Sequence, residues 1–282
     1  MARGISLHIG LNKVDPDQYG GWDGTLNACE SDANDMKAIA DSRGFESNIL
    51  LTSDASAEAV LAGIDRAAGE LDSGDMFLVT YSGHGGQVPD RGDEGETDGS
   101  DETWVAYDRE IVDDELYARW AKFKPGVRIL VLSDSCHSGT VTRRIDADVP
   151  NPVATQESAD SHSPRYRAMP RDVMIATYRA HADLYDEIQE KCPHVDEGDV
   201  GATVLLISGC RDDQLSLDGF SNGLFTENLL AVWDDGKWND GGGYQQFHEA
   251  IRSRMPDEQQ PNYSRVGAEN EAFEEEGPFT VG

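Results

Sequence analysis

Two short motifs in this 282-residue chain carry residue types that can do covalent chemistry. Tyr81-Ser82-Gly83-His84-Gly85-Gly86 sets a histidine among glycines, and Asp134-Ser135-Cys136-His137-Ser138-Gly139 sets a cysteine after an aspartate. A thiol becomes a useful nucleophile when a neighbouring base or cation draws off its proton, and imidazole fills both roles. Glycines beside the histidine let backbone come close to a carbonyl, so that exposed N–H groups there can hold an oxyanion. His137 is a rival base by adjacency, but neighbouring side chains on an extended segment diverge, which favours His84.

Each motif follows an apolar run. Residues 76–81 and 127–132 read as almost continuously apolar strands, as do residues 5–10, 48–51 and 202–208. Between and after them, residues 25–43 (with Gly44 as C-cap), 56–71, 223–233 and 244–255 have helical spacing. Buried strands alternating with helices indicate an α/β fold with a mainly parallel central sheet and helices on both faces. Ligands of such sheets bind beyond the carboxyl ends of the strands. His84 and Cys136 therefore meet if strands 76–81 and 127–132 are neighbours. Two stretches break the alternation. Residues 85–103 read as an acidic, glycine-rich loop. Residues 140–200 read as a surface insertion rich in proline and serine, with helix around 173–191.

Charge narrows the partners. The chain has 23 Lys+Arg and 54 Asp+Glu, so its net charge is 23 − 54 = −31. Such a field repels nucleic-acid phosphate and favours cationic ligands. No apolar run is long enough for a bilayer, and the first residues lack the apolar region of a signal peptide, so a cytoplasmic protein is expected. Four cysteines without Cys-x-x-Cys spacing read as reduced thiols, not a disulfide scaffold or a zinc site. No Gly-x-Gly-x-x-Gly or Gly-x4-Gly-Lys-Ser/Thr follows a strand, which sets aside a nucleotide-binding reading.

These motifs resemble the caspase-like cysteine peptidases, specifically the metacaspases and their bacterial relatives, the orthocaspases. His84 and Cys136 stand 52 positions apart, close to the caspase spacing of roughly 50. Further matches are Asn27-Ala28-Cys29-Glu30-Ser31-Asp32-Ala33, Gly92-Asp93-Glu94 with Asp98-Gly99-Ser100-Asp101-Glu102, Val112-Asp113-Asp114-Glu115-Leu116, and Ile207-Ser208-Gly209-Cys210-Arg211-Asp212-Asp213-Gln214. The resemblance covers residues 4–141 and 201–266. It implies a caspase-hemoglobinase fold in one domain: a large-subunit-like part (1–141), an insertion or processing linker (142–200), and a small-subunit-like part (201–282).

The resemblance also implies an activity: a Cys136–His84 dyad cleaving after Arg or Lys through an acyl-enzyme, with the N–H groups of Gly85 and Cys136 holding the oxyanion. The basic side chain would enter a pocket of Asp32 and Asp134, lined by Ser82 and Cys29. The chemistry requires no cofactor, but calcium is expected as an activator at Asp98, Asp113 and Asp114, where hard cations find carboxylate oxygens. Expected partners are peptides and proteins with Arg or Lys at the cut; nucleic acid and membrane are excluded, and a monomer is expected. Exposed linkers are favoured nicking sites, which makes Arg143 and Arg144 the first suspects for self-processing. The competing reading is a catalytically silent caspase-like binding module.

Overall fold

The computed structural model describes residues 2–90, 100–136, 165–192, 195, 197–211, 214–238 and 242–282. At its centre is a six-stranded sheet of β1 (Gly4–Gly10), β2 (Glu46–Leu51), β3 (Met76–Ser82), β7 (Arg128–Asp134), β9 (Thr203–Ser208) and β11 (Asn262–Gly267). Their order is β11-β9-β7-β3-β1-β2, with every pairing parallel except β11 against β9.

Alternation along the strands divides the core in two. Phe77 and Val79 of β3 and Ile129 and Val131 of β7 point to one face, beneath α2 (Ala57–Glu70) and α3 (Asp113–Trp120). Met76, Leu78, Leu130 and Leu132 point to the other. That face is covered by α1 (Cys29–Ser42), α6 (Leu224–Trp233), α7 (Tyr244–Arg252) and α8 (Glu271–Glu275). A sheet buried on both sides needs apolar residues at consecutive positions, which is why these strands read as unbroken apolar runs.

Three sequence expectations change. The acidic stretch 85–103 contains ordered strands: β4 (Gly85–Pro89) and β5 (Ser100–Val105) pair antiparallel, and β5 continues to β6 (Glu110–Val112). Polar composition hid β4 and β5, whose buried apolar side chains are Val88, Trp104 and Val105. The first helix begins at Cys29, not at residue 25, because the N–H groups of Asn27 and Ala28 bond to the Asp218 carboxylate.

The third change concerns the insertion, whose residues 165–192 pack into the body. Strand β8 (Arg165–Tyr166) pairs antiparallel with β10 (Leu217–Asp218). Helices α4 (Arg171–Ala180) and α5 (Ala182–Lys191) follow it, and Tyr185 of α5 is fully buried against Val88 and Val112. A single helix across 173–191 is thus two, meeting at His181.

Candidate active site

Strands β3 and β7 are neighbours in register, with Ser82 opposite Asp134. The chain leaves β3 through Gly83-His84-Gly85 and leaves β7 through Ser135-Cys136, so the two motifs lie at one sheet edge. Their backbones touch: a Cβ on Gly85 would stand 1.7 Å from the carbonyl oxygen of Cys136, so only glycine fits there. His137 lies outside the described residues.

His84 is buried, with the Trp22 ring 4.7 Å away between centroids. Its Nε2 is 2.9 Å from the carbonyl oxygen of Gly24. A carbonyl can only accept, so Nε2 carries the proton and Nδ1 keeps its lone pair. Nδ1 has no hydrogen-bond partner. Burial, opposed by the Gly24 carbonyl, lowers the imidazole pKa to about 4, so near neutral pH the ring is an uncharged base. The sulfur of Cys136 accepts a hydrogen bond from the N–H of Ser216 at 2.7 Å.

Beside this pair lies a pocket of carboxylates, and a side chain fills it. Arg167 is 0% exposed. One guanidinium nitrogen lies 2.7 Å from Asp32 and 3.3 Å from Asp218; the other lies 2.9 Å from Asp134. That second nitrogen also donates to Ser82 Oγ at 2.8 Å and to the Asp134 carbonyl at 3.1 Å. Each carboxylate is held in turn. Asp134 accepts from Ser216 Oγ and Thr226 Oγ1, Asp32 from Ser82 Oγ and the Gly223 N–H, and Asp218 from the N–H groups of Asn27 and Ala28. Burial, with the Asp134 charge, pushes the Asp32 carboxyl up to about 6 against the pull of Arg167. Cys29 is buried near the same groups, and burial pushes its thiol up to about 12.

The backbone of Arg167 is held as specifically as its side chain. Its carbonyl oxygen accepts from the N–H of Gly85 at 2.9 Å and from the N–H of Cys136 at 3.2 Å. Its own N–H donates to the Ser216 carbonyl at 2.9 Å, extending the β8–β10 ladder. Residues 165–169 thus cross the site as an extended strand, with the Arg167–Ala168 peptide group over Gly85 and Cys136.

Asp32, Ser82, Cys29, His84, Gly85, Asp134 and Cys136 come together here; Asp113 and Asp114 do not, since they open α3. Asp98, Arg143 and Arg144 lie outside the described residues. Among the described residues no three His, Cys, Asp or Glu side chains cluster as metal ligands. Asp218, Ser216, Gly223 and Arg167 belong to the site without having stood out in the sequence. Asp218 is one aspartate among 33, and Arg167 sits among six other basic residues of the insertion.

Residues 3–273 match the family described as the caspase domain. The chain belongs to that family. Among curated relatives this caspase domain is 36% identical to Metacaspase-4 of Arabidopsis thaliana over 141 residues, 46% of this chain and 32% of that one. It is 29% identical to Metacaspase-1A of Aspergillus oryzae over 282 aligned residues, 89% of this chain and 64% of that one. It therefore spans from about a third to just under two thirds of the length of these relatives. A solved crystal structure, protein GSU0716 from Geobacter sulfurreducens, superposes with a TM-score of 0.88 at 51% identity, covering 99% of both chains. Among the described residues of this caspase domain, no helix is long and apolar enough to cross a membrane.

Proposed function

We propose that the protein is a cysteine endopeptidase that cuts after arginine or lysine, with Cys136 as nucleophile and His84 as base, and that its own Arg167–Ala168 bond is its first substrate. The observation that carries this reading is that one residue fills two subsites at once. The Arg167 guanidinium meets three carboxylates while its carbonyl oxygen meets the N–H groups of Gly85 and Cys136.

The chemistry follows from those positions. His84 Nδ1 accepts the thiol proton, and the sulfur of Cys136 adds to the arginine carbonyl carbon. The Gly85 and Cys136 N–H groups stabilise the oxyanion, which carries more charge than the ground-state carbonyl and so gains more from the same donors. His84 returns the proton to the nitrogen of the next residue, Ala168 in the chain's own case, and the C–N bond breaks. Water, deprotonated by His84, then hydrolyses the thioester and restores the thiol. Calcium is proposed as an activator bound through Asp98, Asp113 and Asp114, and no step above depends on it. A monomer in contact only with its peptide substrates is the proposed working form.

Guanidinium is the better occupant of this pocket because its planar fork can reach several acceptors at once, whereas an ammonium is a single point. The test is hydrolysis of fluorogenic peptides ending in Arg, Lys or Asp, with and without chelator, beside a Cys136→Ala control. Turnover of the Arg and Lys peptides, lost in the control, is expected. No turnover of any peptide under any condition would leave the silent binding module as the correct reading.

A further inference from the structure

We propose a second specificity pocket, on the leaving-group side of the cut, that takes a long unbranched apolar side chain two residues beyond the scissile bond. The proposal rests on the endopeptidase reading above and extends it to the half of the substrate that departs first.

The backbone sets the register. Gly85 donates its N–H to the Arg167 carbonyl at 2.9 Å and accepts the N–H of Met169 into its own carbonyl at 2.8 Å. The glycine that supplies an oxyanion donor therefore also fixes the residue two positions past the cut. Ala168 pairs with Gly85 as a parallel bridge between these bonds. Any peptide that places its carbonyl correctly and continues extended is carried along the same edge.

At that register the side chain enters the interior. Met169 is 1% exposed and packs in a cluster with Val14, Tyr19 and Val105. Those three belong to the loop after β1 and to β5, so they remain when the occupying segment leaves. Val173 and Met174, also in the cluster, lie on α4 and travel with Met169. The Tyr19 hydroxyl donates to the Ala106 carbonyl at 2.8 Å, which leaves the wall without a free polar group on that side. Gly86 opens the end of the pocket, since a Cβ there would stand 3.4 Å from the Met169 methyl and 2.5 Å from Glu110. Behind Gly86 lies the buried Glu110 carboxyl, with one oxygen bonded by Thr103 and the other unpartnered. A carboxylate entering the pocket would approach a second carboxyl whose one hydrogen-bond partner among the described residues is the Thr103 hydroxyl. A thioether chain is flexible enough to follow such a cleft, and β-branched side chains are not.

The experiment uses the full-length protein and internally quenched peptides of sequence Arg-Tyr-Arg-Ala-X, with X as Met, Val, Gly or Asp. An arginyl amide reporter with no residues after the cut serves as reference. The expected result is at least a tenfold higher kcat/KM for Met than for Gly, with Val below Met and Asp lowest. Equal rates across the four peptides, all cut after the second arginine, would overturn the pocket while leaving the endopeptidase intact. Failure of the arginyl amide and of all four peptides would overturn both readings. The Cys136→Ala variant sets the background.

Discussion

The carbonyl oxygen of Arg167 lies 2.9 Å from the N–H of Gly85, the residue that follows His84. That contact makes a segment of the protein a ligand of its own candidate site, in the orientation a substrate would need. Self-cleavage between Arg167 and Ala168 is therefore expected. Freshly purified protein should resolve into residues up to 167 and residues from 168, read by intact mass and amino-terminal sequencing. Cys136→Ala and Arg167→Ala should stay whole at that bond. A new amino terminus after Arg143 or Arg144 in place of Ala168 would show that the seated bond is not the one cut.

Asp218 contributes the third carboxylate of the basic-residue pocket, 3.3 Å from the guanidinium. Asp218→Asn removes the charge and keeps an oxygen for only one of the Asn27 and Ala28 N–H groups, which bond to different oxygens of the carboxylate. Loss of a charge-assisted contact of this kind costs about 1.5–3 kcal/mol. KM for an arginyl peptide should rise about tenfold or more with kcat little changed, measured on purified, processed enzyme.

Gly223 gives the pocket its width. Its φ of −61° suits any residue, yet a Cβ there would lie 2.5 Å from the guanidinium and 2.6 Å from Asp134. Gly223→Ala should lose thermal stability, because its Cβ also crowds the buried Asp134 carboxylate, and should lose about a hundredfold in kcat/KM on arginyl peptides, roughly 3 kcal/mol, while still folding. An unchanged rate would mean that arginine binds elsewhere.

The acid side of the pH profile belongs to the pocket before it belongs to the base. With a guanidinium seated beside it, Asp32 takes up a proton as pH falls through about 6; in the empty pocket it does so at higher pH, because the pull of the cation against burial is gone. His84 remains neutral until about 4. KM for arginyl peptides should climb as pH falls toward about 6 and level off below it, where Asp32 is protonated with or without substrate, and Asp32→Asn should flatten that limb while raising KM throughout.

Glu110 links stability to pH in the opposite sense. Burial raises its carboxyl to about 7, from an ordinary 4.5. Between those values the native protein holds a proton that the unfolded chain releases, so stability is full below the lower value and falls as pH rises through the higher one. In an uncleaved Cys136→Ala background, Glu110→Gln should reduce the loss between pH 5 and 8 by about 2.5 kcal/mol, the part of the shift that falls in that window. Denaturant melts of the two proteins at both pH values check this by difference, which cancels the other titrating groups.

Much of the framework was legible in the chain alone. The runs at 76–81 and 127–132 had to be buried strands, because a sheet covered on both faces accepts no polar alternation, and β3 and β7 occupy those positions. The pairing of a glycine-flanked histidine with a cysteine at matching strand ends followed from the same pattern. The family resemblance pointed to Asp32, Asp134, Ser82 and Cys29, all of which lie at or beside the pocket.

Tertiary structure decided the rest. Nothing in composition distinguishes Asp218 from an acid on the surface; it becomes part of the pocket because β10 runs beside β8 and the turn before α1 bonds to its carboxylate. Arg167, in a polar segment rich in proline and serine, reads as exposed by the ordinary preference of charged residues for water. Three carboxylates offset its desolvation, so the most polar side chain of that segment is also among the most buried. Local sequence determines which segments can be buried strands and which residues can react. Which distant charges share one pocket depends on long-range contacts, and these exist only once the strands have paired.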